Sequence, residues 1–258
     1  MVNSSKLFQI KSCKKNCIQY FNYFLVIDFE ATCEINSGSD YYHEIIEFPC
    51  ILVDGKSKQI VSTFHSYVKP RKNPNITAFC TELTGISQNI IDEAPPLDKV
   101  WRMFLNWLQE NNVDYEKVST EFVVITDGDA DIGRFLIPNL HDLNCYIPKS
   151  FYYYVDLRCS MLKILPKVSY LQIHKMSLKA ILTKFSLSFE GKEHSGMDDA
   201  RNILALLKVC IQNNVDILPN SFVEIKKEYD KIKMEEYKYY QCALLKKDIC
   251  FTIFGLTR

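Results

Sequence analysis

The apolar pattern of the first hundred residues predicts three strands. Residues 23–30 read Tyr-Phe-Leu-Val-Ile-Asp-Phe-Glu, a run of aromatic and β-branched residues that is typical of a buried strand. Two further strands are predicted over residues 44–54 and 59–68, and Asp54-Gly55 between them favours a tight hairpin turn. Three strands with short connections indicate an antiparallel meander.

The apolar period then changes from two residues to three or four. After Pro95-Pro96 it predicts an amphipathic helix with one apolar face, formed by Leu97, Val100, Trp101, Phe104, Leu105 and Leu108. Strands follow at residues 121–126 and 151–155, and helices at 132–140, 177–185, 198–213 and 221–247. A meander followed by strand–helix alternation predicts an α/β fold, a five-stranded mixed sheet flanked by helices.

Composition and charge limit the ways in which the chain could bind its partners. The 258 residues carry 31 basic and 31 acidic side chains, so the net charge is zero. A nucleic-acid-binding protein that relied on phosphate neutralisation alone would be basic, so here bound cations would have to share that work. Residues 1–22 form a basic extension with Lys6, Lys11, Lys14 and Lys15.

The cysteines and the apolar segments predict an intracellular, soluble protein. Ten cysteines are scattered without a CxxC pair, which favours reduced thiols and leaves cytoplasm and nucleus both open. The apolar residues 20–29 run into Asp28 and Glu30 rather than a cleavage site, and no stretch is long enough to span a membrane. We therefore expect no membrane partner.

Acidic residues stand at three strand or helix ends. Asp28 and Glu30 share one face of a strand, because side chains two residues apart point the same way. Buried together they would need a cation, although an exposed strand end would leave them solvated. Asp131 follows the strand at 121–126, where it could bind a ligand or cap the next helix.

The segment His194-Ser-Gly-Met-Asp-Asp199 precedes an apolar helix. Ser195 and Asp198 have the spacing of a capping box. Asp199 lies about 100° further round the helix than Asp198 and can face inward. His194 stands in a glycine-containing loop that can present it to a pocket, although a loop histidine is more often merely solvated. The other four histidines have no such context.

Four acids and one histidine suffice for one kind of chemistry. Two divalent cations about 4 Å apart can stabilise both the attacking and the leaving oxygen of a phosphodiester, and they require several hard oxygen ligands. Histidine, with an ordinary pKa near 6.5, can take the proton of the attacking water. This combination predicts a metal-dependent phosphodiesterase.

Four motifs together resemble the DEDDh exonucleases, and among them the Eri-type 3′–5′ exoribonucleases. They are Asp28-Phe-Glu-Ala-Thr-Cys33, Phe79-Cys-x-x-Leu-Thr-Gly-Ile-x-Gln88, Thr126-Asp-Gly-x-x-Asp131 and His194-Ser-Gly-x-Asp-Asp199. The resemblance implies a ribonuclease-H-like fold and an exonuclease domain at residues 23–215, followed by a helical extension at 216–258. It also implies two Mg²⁺ ions, which Mn²⁺ can replace, and release of 5′-monophosphates from RNA 3′ ends that are single-stranded or short overhangs. A DNA or mixed substrate, and a catalytically silent scaffold, are the alternatives.

The resemblance also assigns roles to individual residues. Asp28, Glu30 and Asp199 would hold the first metal, and Asp131 the second together with Asp28. Glu30 and His194 are the catalytic pair, with His194 as general base. The substrate-binding residues would be Glu30, Ala31, Thr32, Leu83, Thr84, Gly85 and His194. The chain departs from the family at Ala130, where a bulky aromatic residue usually precedes the third acid.

Overall fold

The computed structural model describes residues 20–35, 38, 41–117 and 120–223. In these residues one mixed β-sheet is flanked by helices. Its strands are β1 (Tyr23–Ile27), β2 (Glu30–Ala31), β3 (Ile45–Asp54), β4 (Ile60–Tyr67), β5 (Phe122–Thr126), β6 (Tyr153–Asp156) and β7 (Ser221–Phe222). The five predicted strands are confirmed, and the two-residue strands β2 and β7 bring the described sheet to seven.

The strand order determines which strand ends meet. The predicted meander is confirmed, because β3 pairs antiparallel with both β1 and β4. On its other side β1 is parallel to β5, and β5 is parallel to β6. Since β1, β5 and β6 run in the same direction, their carboxyl ends lie at one edge of the sheet. Open α/β sheets bind their ligands at this edge.

The described helices are α1 (Ala78–Thr84), α2 (Gln88–Glu93), α3 (Leu97–Glu110), α4 (Ile137–Asp142), α5 (Leu157–Met161), α6 (Tyr170–Lys175), α7 (Leu178–Lys184) and α8 (Gly196–Gln212). A π-helix (Ala130–Leu136) precedes α4, and a 3₁₀ turn (Lys149–Tyr152) precedes β6. Sequence analysis missed α1, α2, α5 and α6, because five to seven residues show too little of a helical repeat. Their ends carry a different signal, since Thr77, Ser87 and Ser169 each accept a first-turn N–H as N-caps.

Apolar side chains cover both faces of the sheet. Leu25 and Ile27 of β1 belong to the same cluster as Phe104 of α3. Val26 points the other way and joins the cluster that contains Leu207 of α8. The alternation follows from the two-residue period of a strand. It confirms that the first strand is buried on both faces.

Several predicted boundaries are wrong. The strand predicted at 23–30 ends at Ile27, and a separate strand begins at Glu30. The helix predicted at 132–140 begins at Ala130 as a π-helix, in which the N–H of Ile137 donates to the carbonyl of Ile132 five residues earlier. The strand predicted at 151–155 begins at Tyr153 instead. Phe151 lies in the preceding 3₁₀ turn, where its fully buried ring packs in the same apolar cluster as Phe104 of α3.

The terminal extensions fall mostly outside the described residues. The helix predicted over 221–247 is wrong at its start, because Ser221–Phe222 pair with β6 as a strand. Residues 1–19 and 224–258 lie outside the described ranges, so the extensions stay predictions. In the described residues no helix is both long and apolar enough to cross a membrane. The six described cysteines are free thiols, and half of them are buried.

Candidate active site

The first two acids lie at a break in strand pairing. β1 ends at Ile27 and β2 begins at Glu30, so Asp28 and Phe29 lie between two segments that both pair with β3. The side chains of Asp28 and Glu30 reach the same space, as their two-residue spacing predicts. One carboxylate oxygen of each lies within 4.8 Å of the other and of a carboxylate oxygen of Asp199.

Asp199 reaches this group because the first turn of α8 approaches the sheet closely. A Cβ atom at Gly196 would lie 2.6 Å from the backbone carbonyl oxygen of Asp28 and 3.0 Å from Cγ of Pro49, so only glycine fits without displacement. The N–H of Gly196 also donates to the buried carboxylate of Glu47 at 3.1 Å. Close contacts of Gly196 with the Asp28 carbonyl and with the side chains of Pro49 and Glu47 therefore position Asp199.

Asp131 arrives from the π-helix that follows β5. Its Oδ1 accepts a hydrogen bond from the backbone N–H of Phe29 at 2.7 Å, and its side chain is buried. Phe29 separates Asp28 from Glu30, so this bond holds the fourth acid beside the other three. Asp131 is not part of the group whose oxygens lie within 4.8 Å of one another. It stands next to Asp28, whose pKa it raises.

Burial and mutual repulsion raise the pKa of every acid in the site. Burial is the largest cause for Asp28, whose pKa lies well above its ordinary 3.8, and Asp131 and Asp199 add to it. Burial and Asp199 raise the pKa of Glu30 to about 8, against a smaller opposing effect of Lys192. Burial raises the pKa of Asp131 and of Asp199 to about 7. The fold thus concentrates four acidic groups in one place, and Lys192 offsets only a part of their effect on Glu30.

The donor set fits hard divalent cations. Three carboxylate groups offer oxygen atoms alone, which is the ligand type that Mg²⁺ takes in proteins. A buried carboxylate group that lacks a cation must take up protons, as the raised pKa values indicate. A bound dication would reverse that tendency and keep the acids ionised.

His194 lies in the loop that leads into α8. Its backbone adopts a left-handed conformation with φ of +64°, which is uncommon for a residue with a side chain. Its ring is exposed to solvent, while its backbone hydrogen bond to Asp199 lowers the pKa of that acid. Strained, exposed loop residues of this kind cluster at functional sites. The structure thus links the predicted base to a predicted metal ligand through the backbone.

The predicted nucleotide pocket lies next to this loop. Nζ of Lys192 donates to the carbonyl oxygen of Thr84 at 3.2 Å, which joins the histidine loop to the end of α1. Thr84 itself is buried, and its hydroxyl donates to the carbonyl of Cys80. The Thr32 hydroxyl, by contrast, accepts a hydrogen bond from the N–H of Glu44. The hydroxyls of both threonines therefore already have structural partners.

The remaining predicted pocket residues are more accessible. Ala31 and Leu83 are partly exposed, and Gly85 is exposed with φ of +79°, a left-handed conformation that suits glycine. A ligand in this pocket would meet backbone and small or aliphatic groups.

A sequence model of the exonuclease family matches residues 25–207. The chain belongs to this family. The chain is 30% identical over 206 residues to 3′-5′ exoribonuclease 1 of Rattus norvegicus, a match that covers 78% of this chain and 56% of the relative. It is 36% identical to ERI1 exoribonuclease 3 of Mus musculus, over 74% of this chain and 54% of that protein. The chain thus spans about half the length of these curated relatives.

The fold of the chain is that of the DEDDh exonucleases. The nuclease domain of 3′hExo, a DEDDh family member solved bound to rAMP, superposes with a TM-score of 0.72 and 29% identity. The match covers 79% of this chain and 98% of that domain. The ribonuclease-H-like fold predicted from the sequence is confirmed.

The site also holds features that were not predicted from the sequence. The capping box predicted at the start of α8 is wrong, because the Ser195 side chain makes no capping hydrogen bond. Asp198 instead accepts the N–H of Lys192 at 3.0 Å and so holds the histidine loop. A second missed feature is Asp127, which raises the pKa of Asp28, Asp131 and Asp199. The Arg158 guanidinium bonds one of its oxygens, and the other, Oδ1, has no partner among the described residues.

Proposed function

We propose that this chain is a 3′–5′ exoribonuclease that removes 5′-monophosphate nucleotides from RNA 3′ ends. The observation that carries the proposal is the meeting of Asp28, Glu30 and Asp199 oxygens within 4.8 Å, with Asp131 bonded to the Phe29 amide beside them. These acids come from three separate chain segments: the β1–β2 junction, the π-helix after β5 and the first turn of α8. Hydrolysis of phosphodiesters on two cations requires this type of ligand set.

Each acid has a proposed role. Asp28, Glu30 and Asp199 would hold one Mg²⁺, while Asp131 and Asp28 would hold the other, and Mn²⁺ can replace either ion. When bound, such ions supply Lewis-acid activation of water and stabilise charge on the phosphate and leaving oxygens. The raised pKa values support this, since carboxyl groups that repel one another gain most from dications.

The loop residues would handle the proton and the nucleotide. His194, exposed and ahead of α8, would take a proton from the attacking water on a ring nitrogen. The terminal nucleotide would lie between the Glu30–Thr32 backbone and the end of α1 at Leu83–Gly85. Because the Thr32 and Thr84 hydroxyls are engaged, main-chain groups would make these contacts.

RNA is the proposed substrate, with a single-stranded end or a short overhang. The support comes from relatives named as exoribonucleases and from the solved domain that binds a ribonucleotide. An intracellular site in cytoplasm or nucleus is proposed with it, supported by the free thiols of the described residues.

The test uses a stem-loop RNA with a short 3′ overhang and a label at its 5′ end. With Mg²⁺ or Mn²⁺ we expect a ladder that shortens from the 3′ end, together with free 5′-monophosphates, and no products in EDTA. A DNA oligomer of the same sequence, run in parallel, measures preference for the ribose 2′-hydroxyl. Faster digestion of DNA would overturn the RNA assignment, and no products from either oligomer with metal would favour a silent scaffold.

A further inference from the structure

A second group of metal-ligand side chains lies outside the acidic site. Asp156 ends β6 and caps α5, Cys159 lies in α5, and His174 lies in α6. One ligand atom of each lies within 4.8 Å of the other two. Oδ2 of Asp156 is 3.1 Å from Sγ of Cys159 and 3.0 Å from Nε2 of His174.

The histidine ring is oriented as a ligand would be. Its Nδ1 lies 2.9 Å from the carbonyl oxygen of Tyr170, and its Nε2 faces the Asp156 carboxylate. Both neighbours are acceptors, whereas a neutral ring has one N–H to donate. If Nδ1 donates to the carbonyl, Nε2 turns a lone pair toward a carboxylate oxygen. A cation between them removes that conflict, and a backbone carbonyl on the second nitrogen is the usual support for a metal-bound histidine.

We propose that Asp156, Cys159 and His174 form a site for a zinc-class ion. Sulfur, nitrogen and oxygen together suit Zn²⁺, whereas Mg²⁺ takes oxygen alone. Bond lengths of about 2.0–2.3 Å at tetrahedral angles place ligand atoms roughly 3.3–3.8 Å apart. The distances of 3.0 and 3.1 Å need only a few tenths of an ångström of spreading. Water would take the fourth position.

The surroundings allow an ion to enter and hold its ligands in place. The Asp156 side chain is buried, but the His174 side chain keeps 22% of its surface exposed. The Tyr170 ring lies 4.1 Å from the imidazole ring, centroid to centroid. The nearby positive charge of Arg158 is already engaged by Asp127 and by the carbonyls of Ile173 and Met176.

The site would join α6 to the sheet next to the nuclease centre. Thr126 of β5 pairs with Asp156 of β6, and Asp127 follows directly. Besides the apolar packing of the buried Ile173, α6 is joined to this edge by Arg158 and by one histidine–carboxylate contact. The ion would therefore link α6 to this sheet edge, and it would differ in chemistry from the one that the oxygen-only site selects.

Cobalt provides a probe that is specific for the sulfur ligand. Full-length protein without a histidine tag is stripped with chelator and titrated with Co²⁺. We expect tetrahedral d–d bands and a thiolate-to-cobalt charge-transfer band that saturates near one equivalent, and Zn²⁺ should bleach both. Cys159→Ser and His174→Ala should abolish the charge-transfer band and weaken Zn²⁺ binding by about tenfold or more.

Matched variants separate this site from other metal and thiol groups. Cys145→Ser changes another half-buried thiol and should keep the band. Asp28→Asn changes the oxygen-only site and should keep it too, so failure of the proposed nuclease function would leave this result unaffected. Thermal melting shows whether His174→Ala is folded. If it is not, the nearly isosteric variant Cys159→Ser decides whether the thiol binds the ion. A wild-type protein without the band, as expected for a simple imidazolium–carboxylate pair, would overturn the proposal. A band that survives Cys159→Ser would do the same.

Discussion

Replacing Asp28 with Asn should abolish hydrolysis yet stabilise the metal-free protein. The change keeps the shape of the side chain and removes one negative charge from the acidic group. Oxygen atoms of Asp28, Glu30 and Asp199 lie within 4.8 Å of one another. Two full charges at that distance repel by about 3.5 kcal/mol at an effective dielectric constant near 20.

The magnitude depends on pH in a defined direction. Asp28 has a folded-state pKa well above 3.8, so the folded protein binds more protons than the unfolded chain, and stability falls as pH rises. Above the ordinary pKa, each unit of pH lowers the free energy of unfolding by up to about 1.4 kcal/mol. The upper limit of this loss is about 6 kcal/mol at pH 8 and about 2 kcal/mol at pH 5. Relaxation and water entry reduce these limits. We expect a gain of about 2–4 kcal/mol at pH 8 and less than half of that at pH 5.

The assay is thermal or urea unfolding of both proteins in EDTA and in excess Mg²⁺, at the two pH values. A gain of 1 kcal/mol corresponds to about 2–4 °C in Tm for a domain of this size. Saturating Mg²⁺ should stabilise the wild type more than the variant and so narrow or reverse the difference. Release of monophosphates should fall by about a thousandfold or more in the variant, because one of the proposed metal ligands is lost.

Asp216→Asn is the matched control, since Asp216 is exposed and follows the far end of α8. It should change neither stability nor activity. The reasoning is refuted if Asp28→Asn destabilises the protein in EDTA at pH 8, or if its activity is normal.

Three further predictions follow from the same structure. Gly196→Ala should lower kcat by about a hundredfold, although alanine has the better helix propensity. The new Cβ atom would push the first turn of α8, and Asp199 with it, away from the carbonyl oxygen of Asp28. Normal release of monophosphates would contradict this. In EDTA the wild type should lose Tm as pH rises from about 4.5 to about 8, the interval between the ordinary and folded-state pKa of Glu30, and a flat profile would contradict the raised value. Phe104→Ala should cost about 3–5 kcal/mol in urea unfolding, since its ring is fully buried, whereas exposed Met103→Ala should cost little.

Local periodicity predicted most of the acidic site. The two-residue period of a strand correctly placed Asp28 and Glu30 together. The helical turn of 100° correctly turned Asp199 inward, while Asp198 went to the histidine loop. Asp131 was predicted from its position after a strand, although no local pattern indicated its bond to the Phe29 amide.

Tertiary contacts account for what the sequence did not predict. Glu47 is an acid in the apolar run of β3, a visible oddity, but its partner Gly196 lies 149 residues away. Asp127 and Arg158 meet through parallel pairing of β5 with β6. His174 was taken as a histidine without context because helix α6 has six residues and no readable apolar repeat. Packing between short elements is not encoded in local spacing.

The π-helix that carries Asp131 makes segment length a determinant of chemistry. In this segment a backbone N–H donates to the carbonyl five residues earlier rather than four, which corresponds to an α-helix with one residue inserted. Deleting a single residue between Asp131 and Ile137 would let the segment wind as an α-helix and swing the acid by about 100° relative to the buried Leu136. A one-residue gap in this stretch therefore alters the catalytic geometry, even where all four acids are kept.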